Sequence, residues 1–530
     1  MRGGVEMGRG VTFLLAVMLV LALAVMPAIS AEAPRRGGTL VVGMDADPPS
    51  LNPITTVANQ TLYPSNQIYD TLVGYDEKFN PVPRLATSWT FSPDGKMFRF
   101  NLARNVKWHD GRPFSSADVK FTIEVLGPRY NPLYPSLFGA LESVDTPDQN
   151  TVIIRFKEPN AVLLSFLGDP AMNILPKHIY EVGDARTNPA NVNPVGTGAF
   201  KFREWVRGDH LTLVRNEAYF RPNLPYLDQI VFRVVPSAAS QVAALERGEI
   251  QVLMPQIAPS DAQRLARSQG VKVVSKNLGA DFTGLWPNLR VPPLNSLRVR
   301  QALSLAADRQ RMVEQITLGQ SKSARAPISS TSPYFDPTLP ELKRDVAAAN
   351  KLLDEAGLKR GPDGMRFTVR IHHVSTLPDF VKTAQILREN FEDIGVRVNL
   401  VSGEVATTLE AIFANWDFDL AVYSARVGPE PGLQYPRWFT TRGLTRAFFS
   451  NATGYSNLTV DRLTQQSVTI VDKDKRTAVY RQIQRVIMVD LPTIPLWEFL
   501  VLGAHRTELE NVFAQPDHRY IYFAETWLRR

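Results

Sequence analysis

Residues 85–111, LATSWTFSPDGKMFRFNLARNVKWHDG, contain two apolar, alternating runs joined by a turn. In the turn, residues 92–95 (SPDG), proline presets φ at the second position and glycine removes a Cβ clash at the fourth. In residues 97–102, MFRFNL, apolar side chains recur at every second position from Phe98. This period of two predicts a β-hairpin with one face in a core.

The amino-acid sequence of this hairpin resembles the signature region of the family 5 extracellular solute-binding proteins. These are dipeptide, oligopeptide and nickel receptors that deliver ligand to an ABC transporter. Three further segments are similar to the same family: 193–219 (NPVGTGAFKFREWVRGDHLTLVRNEAY), 235–250 (VPSAASQVAALERGEI) and 297–320 (LRVRQALSLAADRQRMVEQITLGQ). The resemblance extends from about Gly37 to the C terminus.

The resemblance implies an α/β, two-lobed periplasmic-binding-protein fold, type II and cluster C-like, with an extra domain on the first lobe. We expect lobe I to be discontinuous and the extra domain to be inserted in it, while lobe II forms one stretch. The expected bounds are 1–31 for a signal peptide, 37–76, 193–290 and 495–530 for lobe I, 77–192 for the extra domain, and 291–494 for lobe II.

The order of predicted elements agrees with an α/β second lobe, because helical and strand patterns alternate between residues 297 and 489. We expect one helix over 297–316 and a return crossing to lobe I at 493–499. On the family resemblance, a hinge lies around 290–295. The aromatic segment 513–527 is expected to complete a sheet.

The N terminus predicts secretion. Two arginines precede an apolar run, 11–26, which ends before Pro27 and a stretch of small residues. This is a signal peptide, with an uncleaved signal anchor as the alternative. The chain contains no cysteine, so it has no disulfide, no thiolate metal site and no lipid-bearing cysteine. We therefore expect a freely diffusing periplasmic protein. We also expect a monomer, and no cofactor.

Composition excludes other classes. With 44% hydrophobic and 21% charged residues the chain is of ordinary globular type. Its net charge of +7 is mild for 530 residues and no long Lys/Arg run occurs, so nucleic-acid binding is not indicated. A basic surface is nonetheless suited to anionic ligands.

The common enzyme signatures are missing from the sequence. It contains no HExxH, no Gly-x-Ser-x-Gly and no complete P-loop. Gly196-Thr197-Gly198 is better explained as a tight turn than as a phosphate loop. Neighbours on a strand such as His372 and His373 point to opposite faces, so the two could not both ligate one metal ion without distortion. We predict a receptor and not an enzyme, with a secreted hydrolase as the alternative.

The segment 421–439, AVYSARVGPEPGLQYPRWF, is the most informative about ligand. It resembles the family segment Gly-Trp-x-x-Asp followed by Asp-Pro, in which the aspartate pairs with the α-amino group of a bound peptide. Here Arg426 stands in place of that aspartate, and Glu430-Pro431 in place of Asp-Pro. A guanidinium cannot accept from an ammonium group, but it can hold a carboxylate or phosphate.

Two hypotheses follow for Arg426. In the first it binds an anionic group of the ligand, such as a peptide carboxylate, a sugar acid or a phosphate ester. In the second it pairs internally with Glu430 or Glu404. A chelated metal, bound through its chelator, also stays open as the ligand.

Aromatic and polar side chains are the other candidates for the pocket, although aromatic residues are more often core. Asp45, with Asp47, follows the predicted first strand, and a pair of solvated loop carboxylates is the alternative. The predicted ligand-binding residues are Arg426, Tyr423, Glu430, Trp286, Asn288, Trp497 and Asp45. The expected partners are a peptide or small molecule and the permease subunits of an ABC importer in the inner membrane.

Overall fold

A computed structural model describes Met1 and residues 33–56, 58–131, 134–254, 257–275, 281–499, 501–515 and 518–529. Apart from Met1, the predicted signal peptide lies outside the described residues. No helix in the described part of the chain is long and apolar enough to cross a membrane.

The strands of the described residues, in chain order, are β1 Thr39–Met44, β2 Val73–Tyr75, β3 Pro81–Pro83, β4 Ala86–Phe91, β5 Met97–Leu102, β6 Leu141–Asp148, β7 Thr151–Phe156, β8 Phe200–Val206, β9 His210–Arg215, β10 Gln229–Val234, β11 Val252–Leu253, β12 Val271–Ser275, β13 Phe282–Pro287, β14 Phe367–Val374, β15 Val396–Gly403, β16 Leu420–Ala425, β17 Ile494–Glu498, β18 Leu502–Arg506, β19 Leu509–Glu510 and β20 Trp527–Leu528.

The α-helices of the same residues are Asn59–Ile68, Ser116–Phe121, Gly127–Tyr130, Tyr134–Phe138, Lys177–Tyr180, Ala238–Arg247, Pro259–Leu265, Leu297–Ala306, Arg309–Ile316, Val346–Glu355, Pro378–Glu392, Val405–Leu409, Pro431–Phe439, Leu458–Thr469 and Lys473–Asp490. Short 3-10 turns include Leu163–Ser165, Pro170–Met172 and Thr441–Gly443.

The first lobe is built on a seven-stranded sheet with the order β12-β18-β11-β1-β10-β9-β8. Its central strand β1 runs parallel to β10 and β11, while β9, β8 and β18 pair antiparallel. Fully buried side chains such as Leu40, Phe200 and Phe232 form the core on this sheet. The chain returns to this sheet at β18, after the second lobe is complete.

A separate four-stranded antiparallel sheet, in the order β4-β5-β7-β6, contains the hairpin predicted from residues 85–111. The turn forms as expected: the Gly95 N–H donates to the Ser92 carbonyl at 2.9 Å, and Gly95 has a φ of +68°. Phe98 and Phe100 are buried in a hydrophobic cluster that is separate from the core on the seven-stranded sheet. The sheet falls within the residues predicted for the extra domain, whereas the cluster also takes in Leu72, Val73 and Leu433 from outside them.

The second lobe is built on a five-stranded sheet in the order β15-β14-β16-β13-β17. The strands β14, β15 and β16 are parallel, and β13 lies antiparallel between β16 and β17. The helix Pro378–Glu392 contributes Ala384, Ile386 and Leu387 to a large buried cluster on this sheet.

Two expected crossing points are wrong. Strands β13 and β17 lie in the sheet of the second lobe, although 193–290 and 495–530 were assigned to the first. The reason is pairing: β13 is hydrogen-bonded to β16 along its whole length, and Leu294, within the expected hinge, is fully buried in the second lobe's core. The chain therefore passes between lobes upstream of Phe282 and downstream of Glu498. The division into domains stays a proposal.

Two element predictions also need correction. Residues 297–316 form two helices, because Ala307 is extended and the Asp308 side chain accepts from the Arg311 N–H to cap a new helix. Among the described residues of the C-terminal aromatic segment, the strand is the short β20, which pairs with β19 in a separate two-stranded sheet and does not extend a large one.

Candidate ligand-binding cleft

Three segments that are far apart in sequence enclose a cleft of about 440 Å³, a volume that includes space open to solvent. One segment follows β7 in the predicted extra domain, one follows β16 in the second lobe, and one precedes β20. The lining residues are Phe166, Asp169, Arg426, Gly428, Pro429, Leu433, Gln434, Arg437, Arg519 and Tyr520. Three guanidinium groups and one carboxylate thus face a common space.

Local sequence explains how the second segment reaches the cleft. Strand β16 ends at Ala425, Gly428 has a φ of +77°, and Pro431 begins the next helix at a position where no backbone N–H is needed. Leu433 and Arg437 are one turn apart on that helix, so they share a face. Leu433 also packs into the hydrophobic cluster of the four-stranded sheet. The second lobe and the predicted extra domain are therefore in contact beside the cleft.

The buried Asp169 supplies the negative charge. Its carboxylate accepts from the Ala171 N–H at 2.9 Å and from the Tyr520 hydroxyl at 3.1 Å, and a nitrogen of Arg519 lies 4.0 Å away. Burial, followed by the charge of Asp169, raises the pKa of the Tyr520 phenol well above its usual value. Tyr520 therefore remains a neutral donor to Asp169.

Arg426 lines the cleft and also pairs internally. Its Nη1 atom lies 3.4 Å from Oδ2 of Asp281, and both side chains are mostly buried. Asp281, the partner in this ion pair, is different from Glu430 and Glu404, the two residues considered in the sequence. Arg426 therefore forms an internal ion pair and also lines the cleft.

Glu430 is buried just behind the wall. Its carboxylate accepts from Arg476, from the Tyr480 hydroxyl at 2.9 Å and from the Ser165 hydroxyl at 2.5 Å. Burial lowers the pKa of the Arg476 guanidinium, but the adjacent Glu430 carboxylate outweighs burial and keeps that pKa above its usual range. Glu430 therefore has an internal partner for its charge.

Residues 80–444 match the family described as bacterial extracellular solute-binding proteins, family 5. The chain belongs to this family. The expectation drawn from the hairpin and the three further segments is confirmed, and the protein is a solute-binding receptor of an ABC transporter.

Among family 5 proteins, the chain is similar to the oligopeptide-binding protein AppA of Bacillus subtilis, with 28% identity over 94% of this chain and 93% of the relative. The structure of AppA in complex with a nonapeptide gives a TM-score of 0.77 at 26% identity, covering 94% of this chain and 100% of that chain. The glutathione-binding protein GsiB of Salmonella choleraesuis is 26% identical over 95% of this chain and 96% of its own.

A second solved structure, NikZ from Campylobacter jejuni in complex with Ni(L-His), gives a TM-score of 0.75 at 25% identity, covering 89% of this chain and 95% of that chain. These likenesses confirm the two-lobed, type II α/β fold predicted for this family 5 receptor.

The aromatic candidates lie in the core of the second lobe. Trp286 is 1% exposed and stacks on Tyr423 with ring centroids 4.6 Å apart. Its indole N–H donates to the Tyr423 carbonyl at 3.2 Å. The Trp497 indole N–H donates to the Thr383 hydroxyl at 3.3 Å, and this side chain is also buried. None of the three lines the cleft described above, so the alternative of a core role fits their positions.

The polar candidates Asn288 and Asp45 lie elsewhere too. The Asn288 side chain donates to the carbonyls of Trp416 at 3.1 Å and Phe418 at 3.0 Å, which fixes the end of β13. Asp45 is exposed on the first lobe and accepts from the Gln60 amide at 3.1 Å. Of the predicted residues, Arg426 alone is in the cleft lining given above, and Glu430 adjoins it.

Sequence reasoning missed Asp169, Arg437 and Arg519. Asp169 and Arg519 are 350 residues apart, and no local pattern connects them. Arg437 had a usable signal, since its position on the helix after Pro431 places it on the same face as Leu433.

Two other motifs have structural positions. Gly196 and Gly198 pack so closely against the chain at Ile68 that a Cβ on Gly196 would lie 1.8 Å from the Ile68 carbonyl oxygen. His372 and His373 are buried on β14, and burial lowers the pKa of both imidazoles. Within the described residues, no group of three His, Asp or Glu side chains could hold a metal ion.

Proposed function

We propose that this family 5 receptor captures a peptide or related small solute that presents an anionic group to the arginine-lined cleft. The observation that carries the proposal is the lining itself. Among the described lining residues, Arg426, Arg437 and Arg519 provide three guanidinium groups against one carboxylate, that of Asp169. Guanidinium groups bind carboxylates with two parallel N–H donors, and the partly buried cleft strengthens such bonds.

Capture in this proposal works by closure of the two lobes around the solute. The cleft wall combines segments from the first lobe, the extra domain and the second lobe, so a bound solute contacts all of them at once. Only a difference in affinity between the closed and open states drives closure. The permease of an ABC importer then receives the closed, loaded receptor.

The compartment is part of the same proposal. Residues 1–31 have the charged, apolar and small-residue regions of a secretory signal. Cleavage after Ser30 or Ala31 would release a periplasmic protein without a lipid anchor. The N-terminal sequence of the protein recovered from the periplasm tests this directly.

Peptide is the first ligand class because AppA and GsiB, the curated relatives described above, bind an oligopeptide and glutathione by name. A non-peptide anion is the second class, whether a sugar acid, a phosphate ester or a metal chelate. It is favoured by Arg426, since this residue replaces the aspartate that in the family pairs with the α-amino group of a peptide. A hydrolase function draws no support from the cleft, because the described residues that line it include no serine, histidine or cysteine.

The test is native mass spectrometry of the protein purified without refolding, followed by denaturing release and identification of the solute. Release of an unmodified peptide or of another solute with an anionic group supports the proposal, whereas release of a solute without an anionic group contradicts it. The variant Arg426→Ala then tests Arg426 itself, with the exposed Arg267→Ala as the matched control. Unchanged affinity for the released solute in Arg426→Ala would remove this residue from the proposal.

A further inference from the structure

Arg437 occupies an unusual position among the arginines of the cleft. It is half-buried on the helix Pro431–Phe439, and one of its terminal nitrogens donates to the Phe448 carbonyl at 3.1 Å. A guanidinium has five N–H donors in a planar fork, so most of its donors are left for other acceptors.

The other two arginines have carboxylates nearby. Arg426 lies 3.4 Å from Asp281, and Arg519 lies 4.0 Å from Asp169. Arg437 differs, because within the described ranges of the chain no carboxylate lies within 4.0 Å of its guanidinium. The backbone carbonyl of Phe448 carries only a partial charge. No carboxylate of the described residues therefore neutralises the positive charge of Arg437.

A partly buried cation without a counter-ion is unfavourable, and an anion that enters the cleft offsets this cost. Burial lowers the pKa of Arg437, which is consistent with the same desolvation. The gain on binding is greatest for the guanidinium that has no internal carboxylate to compete with the solute. This comparison singles out Arg437 from Arg426 and Arg519.

We propose that Arg437 binds a carboxylate of the solute and that it, rather than Arg426, determines the preference of this receptor for free acids. This inference rests on the proposed function and adds the residue and the chemical group that are recognised. For a peptide, the carboxylate is the C-terminal one or that of an acidic side chain. A peptide without any carboxylate would bind more weakly.

The experiment compares wild-type protein with Arg437→Gln, Arg437→Lys and the control Arg442→Gln. Glutamine keeps a donor for the Phe448 carbonyl but removes the charge, and lysine keeps the charge without the fork. Arg442 is exposed six residues from Phe448 and does not line the cleft. Thermal unfolding first shows that each variant is folded.

The probe is a pool of tripeptides of mixed, non-acidic side chains, offered once as free acids and once as C-terminal amides. Retained peptides are quantified by native mass spectrometry. We expect the wild type to retain free acids about 10- to 100-fold better than amides, in line with hydrogen bonds to charged groups. Arg437→Gln should lose this preference, Arg437→Lys should keep part of it, and Arg442→Gln should keep all of it.

The outcomes separate the two proposals. If wild type binds acids and amides equally, or if Arg437→Gln keeps the wild-type preference, the role of Arg437 is overturned while a peptide receptor remains. If the wild type retains neither pool, the peptide form of the proposed function is overturned, and the inference that rests on it is overturned too.

Discussion

The Ser165 hydroxyl donates to the buried Glu430 carboxylate at 2.5 Å, a bond between residues that are 265 positions apart. It joins the predicted extra domain to the second lobe next to the cleft wall. On the other side of the same carboxylate is the Arg476 guanidinium, which is 6% exposed. A buried charge pair thus reinforces the contact between two parts of the molecule that enclose the solute.

Glu430→Gln should destabilise the protein by about 3 kcal/mol, because removing one member of a buried pair leaves the other charge without compensation. Ser165→Ala should cost about 1.5 to 3 kcal/mol, the contribution of one hydrogen bond to a charged group. Tryptophan fluorescence during guanidinium unfolding measures both. Glu217→Gln, with a side chain 79% exposed, is the control and should change stability by less than about 0.5 kcal/mol. Equal unfolding midpoints for Glu430→Gln and wild type would contradict a stabilising role of the buried Glu430–Arg476 pair.

Trp286→Ala should lower the stability of the protein and should not selectively lower its affinity for the solute. The fully buried indole stacks on Tyr423, so its removal creates a cavity that costs about 3 to 5 kcal/mol. Phe448→Ala, a truncation at a side chain 50% exposed, should cost far less. Unfolding midpoints and solute affinity are measured on the same samples. A large loss of affinity in Trp286→Ala with an unchanged midpoint would restore Trp286 as a ligand contact.

Stability should fall as the pH is lowered from about 6.5 to about 4. Burial lowers the pKa of His109 to about 4, and its ring accepts from the Gly196 N–H while donating to the Gly198 carbonyl. Since this pKa is below that of the unfolded chain, the stabilisation is complete above pH 6.5 and is lost as pH falls through 4. The slope is at most about 1.4 kcal/mol per pH unit for one histidine.

His109→Gln should flatten this dependence, and unfolding of the variant at pH 8 gives its pH-independent cost. Other buried histidines, such as His372 and His505, have lowered pKa values and contribute with the same sign. The comparison is therefore the difference in slope between variant and wild type. If the free energies of unfolding of His109→Gln and wild type change in parallel from pH 4 to 8, His109 does not titrate as described.

Gly196→Ala should be among the most damaging single-methyl changes in the first lobe. The new Cβ would lie 1.8 Å from the Ile68 carbonyl oxygen, so the backbone of one segment has to move. Gly208→Ala is the control, because its Cβ would have open space and only its positive φ of +76° is unfavourable, by about 1 kcal/mol. Circular dichroism melting should place Gly196→Ala well below Gly208→Ala. The reverse order would contradict the close packing.

Local features of the fold could be predicted because their causes are local. The hairpin follows from SPDG and a period of two, and Gly248 ends the helix Ala238–Arg247 in the left-handed conformation, as its sequence indicates. The break at Ala307 was missed because a continuous helical pattern conceals the cap at Asp308.

The sheet to which each strand belongs was harder to predict, since it depends on pairing partners far away in sequence. Strand β13 pairs with β16 more than 130 residues later and with β17 more than 200 residues later. Neither hydrophobic periodicity nor the prolines at 292–293 carry that information. The resemblance gave the architecture but placed both crossings a few residues from where the pairing puts them.

The candidate cleft shows the same limit. Arg426 was found because a sequence pattern marks its segment, but its partner Asp281 is 145 residues away. Asp169 and Arg519 come from still more distant segments, and only the folded chain brings them together. The aromatic candidates were chosen for residue type, which does not distinguish a pocket wall from a core.

The pairing of Phe282 with Glu498 places the beginning and the end of the second lobe on neighbouring strands. Its large hydrophobic cluster draws all of its buried members from residues 282–497. Residues 281–499 therefore resemble a cassette inserted into the first lobe through two adjacent ends. We expect such a segment to fold when expressed alone, and a short linker between Ser275 and Val501 to leave a first lobe that also folds.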